Sequence, residues 1–296
     1  MNASLKHPIT PREGLDFQLD ESIPRYWFDN DAFKTRFMES IFVSFPAGER
    51  YFMTSVRRFR DRITDPVLQE EVQAFNRQEA QHGIVHGRFN DLLRQRGLPI
   101  DEVERALSRR LDRLTQKASP EFNLAVTAAC EHVTALMAEI FYAREDLLHK
   151  ADYRVRAMLA WHAMEEMEHK SVAFDVLQKV AGVGNGKRAL AMLMFSILFV
   201  YYRVRDTNQF LQADGISPSE RRAMMRKGLW WAFGRKGVFS SMLKPWLAYF
   251  RPGFHPWQQA VLPEFDRWMA VYGETGDPIA AAEALFATSQ ASGVVP

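Results

Sequence analysis

"WHAMEEMEHK", residues 161–170, sets two histidines and three glutamates among Trp161, Ala163, Met164 and Met167. Polar groups at that density either form a solvated helix face or point inward at something that needs them. At about 100° per residue, His162, Glu166 and His169 fall at i, i+4 and i+7 and share one face. Glu165 lies about 100° from Glu166 and Glu168 about 160° from it, which assigns Glu165, Glu168 and Lys170 to the solvated side.

A matching set stands upstream in "RQEAQHGIVHGRFN", residues 77–90, where Glu79, His82 and His86 are i, i+3 and i+7, with Arg77 and Gln78 off that face. A carboxylate and an imidazole three residues apart on a helix can reach one metal ion. Bundles that hold two ions take one such pair from each of two helices and one further Glu from each of the other two. The pattern therefore demands a lone mid-helix Glu on two more helices. Glu131 in "AVTAACEHVTALMAEIF" is the only acid between Glu121 and Glu139, and Glu49 in "IFVSFPAGERYF" is alone between Glu39 and Asp61. Four buried carboxylates without counter-charge are prohibitively costly. A dinuclear metal centre supplies that charge. His86 and His162 lie on the right faces, one turn beyond the basic six, as extra ligands or as groups that hydrogen-bond a ligand. Glu139 and Asp175 lie near the stripes, with orienting a ligand histidine as the lesser of two readings for each. His132 reads as a packed histidine and Cys130 as core.

The rest of the chain reads as all-α. Residues 1–30 form an arm rich in breakers. Helices are expected over about 31–63 (interrupted at Pro46 and Gly48), 66–95, 119–149 and 152–181, with a short charged helix after residue 99. Asp65, Pro66 and Gly97 punctuate the second of these. The expected division is an arm (1–30), a four-helix metal-binding bundle (31–181) and a helical C-terminal extension packed on it (182–296). The extension holds a fifth helix near 187–210, another begun by Ser217 or Ser219, and one more near 256–271 in an irregular tail. The longest uncharged apolar run, 189–202, has 14 residues, short of the roughly 20 a spanning helix needs. It reads as a buried helix, with peripheral membrane contact through 189–202 as the alternative.

A net charge of +2 gives no basis for a nucleic-acid partner. A single cysteine excludes an internal disulfide framework, and the first residues lack an apolar signal core, so a cytoplasmic location is expected. Trp230, Trp231, Trp246 and Trp257 either cover the bundle or form a homodimer interface.

The pattern Glu49, Glu79-x2-His82, Glu131, Glu166-x2-His169 resembles the ferritin-like, carboxylate-bridged di-iron superfamily. More narrowly, "FPAGERYF", "QEAQHGIVHGRFN", "WHAMEEMEHKSVAFDV" and "RPGFHPW" look like a bacterial family of predicted metal-dependent hydrolases. His162 is similar to the extra histidine ligand of p-aminobenzoate N-oxygenase-like enzymes. The Pro46–Gly48 break, the fifth helix and the long extension depart from a ferritin and argue against an iron-storage shell.

Four carboxylates with two or three imidazoles make a hard O/N donor set that suits two Fe ions, with Mn, mixed Mn/Fe or Zn as alternatives. The aromatic surroundings favour a di-iron oxygenase or oxidase that uses O2 on a lipophilic or aromatic small molecule. In that reading Glu131 and Glu166 bridge the ions, Glu49 and Glu79 are terminal, His82, His162 and His169 supply nitrogen, and an external electron donor serves the site. The alternative is a hydrolase in which a bound water attacks. A second alternative is a non-enzymatic metal or oxygen sensor, which would have no pocket beside the metals.

Overall fold

The computed structural model describes residues 8–143, 145–258 and 264–291. Among the described residues all regular structure is helical, and the only extended pairing is a bridge between Phe28 and Ala151. The all-α expectation therefore holds.

The first long helix is two. α1 (Ala32–Phe42) starts at Asp31, whose side chain accepts from Lys34 N, and α2 (Phe45–Arg57) restarts after a break at Val43–Ser44 with Pro46 in its first turn, where no donor is needed. α3 (Pro66–Gln95) keeps the expected ends: Asp65 Oδ1 accepts from Val67 N at 3.0 Å, and Gly97 turns the chain at φ +83°. α4 (Ile100–Lys117) is the charged helix. α5 (Pro120–Ala143) and the one-turn α6 (Glu145–Leu148) fill the third expected span, and α7 (Tyr153–His169), α8 (Val172–Asp175) and a π-turn (Val176–Val180) fill the fourth. Helices α2, α3, α5 and α7, which carry the candidate ligands, pack on one another.

α9 (Asn185–Ala213) lies across α1 and α5. Its expected burial is only half correct. Ala191, Met192, Phe210 and Leu211 are buried, but Leu190, Leu193, Ile197, Leu198 and Tyr201 are exposed. The run is apolar all round, yet neighbours cover one side only. α10 (Pro218–Phe233) opens with a capping box between Ser217 and Glu220. α11 (Leu243–Ala248), α12 (Phe265–Thr275) and α13 (Pro278–Ala291) complete the chain. The tail is more regular than expected. Its helix near 256–271 is a short turn at Pro256–Gln258 and then α12, with 259–263 outside the described residues, and α13 packs on α7. One helical stretch among the described residues, Pro120–Phe141, is long and apolar enough to cross a membrane, and 89% of its most apolar part is buried inside the fold.

α10 meets α1 at Gly228, where an added Cβ would stand 2.1 Å from the Phe33 ring. Phe33 is itself buried and stacked on Phe37, so the ring has nowhere to retreat. Gly228→Ala should lower stability by about 1–3 kcal/mol, read as a lower midpoint in urea unfolding.

Candidate metal centre

Four helices bring all eight expected residues to one place: Glu49 from α2, Glu79, His82 and His86 from α3, Glu131 from α5, and His162, Glu166 and His169 from α7. All are buried. His169 Nε2 stands 3.2 Å from Glu79 Oε1, 3.4 Å from Glu131 Oε2 and 3.6 Å from Glu166 Oε2. His82 Nδ1 is 3.7 Å from Glu79 Oε1 and 3.9 Å from Glu166 Oε1, and His162 Nε2 is 3.0 Å from the same Glu166 oxygen.

Four sets of donor atoms each converge to within 4.8 Å: Glu79–Glu166–His169, Glu49–Glu79–His82, His82–His162–Glu166 and Glu49–His86–His162. Glu79 and Glu166 each serve two sets, and Glu131 approaches from the His169 side. Gly83 makes room, since a Cβ there would come within 3.3 Å of Glu49 Oε2.

The residues fit a metal site on their own evidence. Both oxygens of Glu49, Glu79 and Glu131 lack a hydrogen-bond partner, as do Glu166 Oε2, His82 Nδ1, His86 Nδ1 and His169 Nε2. Buried polar atoms are nearly always satisfied. Leaving this many lone pairs unmade would cost about 1–3 kcal/mol each. Donor atoms that approach closely without hydrogen-bond geometry are arranged as they would be around cations.

Electrostatics agree. Burial, then the repulsion of the other carboxylates, pushes Glu49 and Glu79 well above the usual carboxylate range. Burial and the charge of Glu166 push Glu131 up to about 7. Burial and His162 hold His82 and His86 well down, as neutral imidazoles. Burial opposes the charge on Glu166, but a hydrogen bond with His162 and the closeness of His169 hold its carboxyl well below the usual range.

A surrounding layer fixes the ligands, and it corrects the sequence reading. Glu165, Glu168 and Lys170 are not solvated: all three are buried. The N-terminal arm covers the two glutamates. Arg12 Nη1 donates to Glu165 Oε1 at 3.0 Å, Arg12 Nη2 donates to Glu168 Oε1 at 2.7 Å, and Thr10 N donates to Glu168 Oε2. Glu165 Oε2 in turn accepts from His82 Nε2 at 3.1 Å, which leaves the Nδ1 lone pair facing the carboxylates. Gln78 is off the ligand face as expected, yet it too is buried. Its Nε2 donates to Glu168 and its Oε1 accepts from His169 Nδ1 at 2.8 Å, so Nε2 is the His169 atom that faces the centre; burial opposes its charge, but the carboxylates of Glu131, Glu166 and Glu79 raise its pKa well above the usual imidazole range. Lys170 stands over the Trp257 ring, and burial lowers it to about 8.

Asp175 orients no ligand histidine, because α8 turns it to His255 Nε2 at 3.1 Å and Lys179. Glu139 faces Lys170 and meets none of the eight. His132 is packed between Tyr249 and Phe254, as expected, and burial lowers it to about 4. Cys130 is buried core.

The chain belongs to the family of predicted metal-dependent hydrolases, whose model matches residues 10–260. That span takes in the eight converging residues and Arg12 alike. No curated protein and no solved structure matches the chain significantly. Membership in this family and the buried donor clusters both make metal dependence the property this chain's residues serve.

Metal uptake must displace the protons that Glu49, Glu79 and Glu131 hold in the metal-free site. Raising pH removes those protons, so affinity should climb as pH rises through about 7, where Glu131 loses its proton, with proton release on binding, measured by calorimetry in buffers of different ionisation enthalpy. Glu165→Ala frees His82 Nε2 and should weaken metal affinity by about 10–100-fold while the circular dichroism spectrum stays helical.

Proposed function

We propose that this chain is a dinuclear metal-dependent hydrolase acting on an apolar small molecule that carries an ester-class bond. The observation that carries the proposal is a metal-ready donor cluster set against an apolar cavity. Between α2, α4, α5 and α9 lies a cavity of about 370 Å3 lined by groups such as Phe52, Val126, Val133 and Phe199. That is within the range of small-molecule sites. A second space of about 30 Å3 touches His162 and Glu166. Phe45, Thr134 and Met137 line both, and so form the wall between them. Phe45 also lies 4.6 Å from the His86 ring and 4.8 Å from that of His162.

When bound, two ions would polarise a carbonyl and lower the pKa of a water. The chain's own part is to hold and orient. Glu49, Glu79, His82, His162 and Glu166 each contribute to two donor sets and, with Glu131, His86 and His169, would hold the ions. Gln78 and Glu165 fix the two imidazole tautomers. Phe45 and Met137 keep bulk water out while presenting an apolar chain to His162 and Glu166. The cavity disfavours a role limited to sensing.

A second reading, O2-dependent oxidation with two iron ions and an external electron donor, is favoured by one observation. The donor set has no thiolate and is dominated by carboxylate, which suits iron or manganese. The two readings separate in one assay. Protein loaded with Zn, Mn or Fe is given chromogenic acyl esters under argon and in air. Hydrolysis predicts turnover under argon that chelation and His169→Ala both abolish. Turnover of apolar substrates only with iron and air would replace it with the oxidative reading. Met137→Trp should lower kcat/KM for long acyl chains by about tenfold or more with metal content unchanged.

A further inference from the structure

The outer face of α9 has no role in the metal centre, and its composition calls for an explanation. Leu190, Leu193, Ile197 and Tyr201 recur at helical spacing, and Leu190, Ile197 and Tyr201 are 58%, 60% and 59% exposed. α11 continues the surface. Its Trp246 Nε1 donates to Ser196 Oγ of α9 at 2.9 Å, and its Leu243 and Leu247 are exposed beside that contact. α10 adds Trp230, at 72% the most exposed of these residues. Apolar surface of this extent is uncommon on a protein that meets only water.

The charge around it is as uneven. Residues 187–251 hold twelve Lys and Arg against three Asp and Glu, a local net of +9 in a chain whose total is +2. Arg222, Arg226, Lys227, Arg235, Lys236 and Lys244 are exposed, and among the described residues none has a carboxylate at ion-pair distance. Arg226 and Lys227 precede Trp230 by four and three residues, so they share its flank of α10. Lys244 sits next to Leu243.

We propose that this face of α9, α10 and α11 docks on the surface of an anionic lipid bilayer. An apolar stripe with an exposed tryptophan and a basic surround is the composition that seats a helix at the headgroup boundary and draws it to anionic lipid. A second copy of the chain fits poorly, because it would bring the same +9 against its own. Leu198 strengthens the assignment: it is both exposed and part of the cavity wall, as its neighbours Phe195, Phe199 and Tyr202 also line the cavity. Docking would set the cavity mouth against the acyl phase, so an apolar substrate would enter without crossing water.

The test is co-sedimentation of the whole protein with phosphatidylcholine vesicles, alone and with roughly 30% phosphatidylglycerol. Binding is expected on the anionic vesicles and to weaken as salt is raised. Ile197→Glu with Trp230→Glu should lower partitioning by at least about tenfold, and Arg226→Glu with Lys227→Glu by about tenfold. Thermal melts and metal content should match the parent in both variants, since these side chains are exposed. Equal pelleting with neutral and anionic vesicles, or no pelleting with either, would overturn the proposal. So would a dimer in analytical ultracentrifugation that Ile197→Glu dissociates. The readout is lipid rather than turnover, so it stands or falls apart from the hydrolase reading.

Discussion

Four carboxylates, those of Glu49, Glu79, Glu131 and Glu166, occupy one buried volume, and among the described residues no lysine or arginine forms an ion pair with them. Everything around the centre answers that constraint. Burial and mutual repulsion hold protons on three of the four, while His162 and His169 hold the fourth ionised. The arrangement is poor as a structural core, because an apolar replacement of similar shape would avoid the desolvation it carries. It makes sense as a site held ready for cations. Helix geometry follows from the same need: Glu-x2-His pairs on α3 and α7 place carboxylate and imidazole one above the other, and the break before α2 sets Glu49 opposite Gly83.

Orientation is a separate problem from burial, and the protein solves it with a different set of residues. An imidazole offers either nitrogen until its far side is fixed. Glu165 fixes His82 and Gln78 fixes His169, and Arg12 anchors Glu165 directly and Gln78 through Glu168. Arg12 therefore acts on two ligands while contacting neither. The apolar side of the centre is handled by Phe45, which packs on His86 and His162 and also closes the cavity.

The parts of this design that obey a period were legible in the sequence. Asp65, Pro66 and Gly97 bracket α3 closely, and the eight converging residues follow from two stripes and two isolated acids. What escaped has no period. Glu165 and Glu168 are buried by an irregular arm more than 150 residues away in sequence, and spacing within α7 carries no trace of it. Asp175 falls outside the stripe because the helix breaks at a turn at Lys170–Ser171 and α8 re-aims the chain. The exposure of α9 was missed because an apolar run states that a helix can be buried, not how many neighbours it has. In α13 the alanine-rich "PIAAAEALFATSQA" was readable as helix from propensity alone.

The arm that holds Arg12 reaches α7 across 153 and 156 residues of sequence. Without it, Glu165 behind His82 and Glu168 behind Gln78 would have no cover. The arm lies along α3 and α7: Arg12 holds Glu165 and Glu168, Glu13 Oε1 accepts from Arg77, and Leu15 O accepts from Arg88. Its departure would loosen both histidines while the four helices stay packed. The orientation of the centre thus depends on a segment outside the four helices that carry its ligands, so a change confined to the arm would be felt at His82 and His169 with the ligands themselves unchanged.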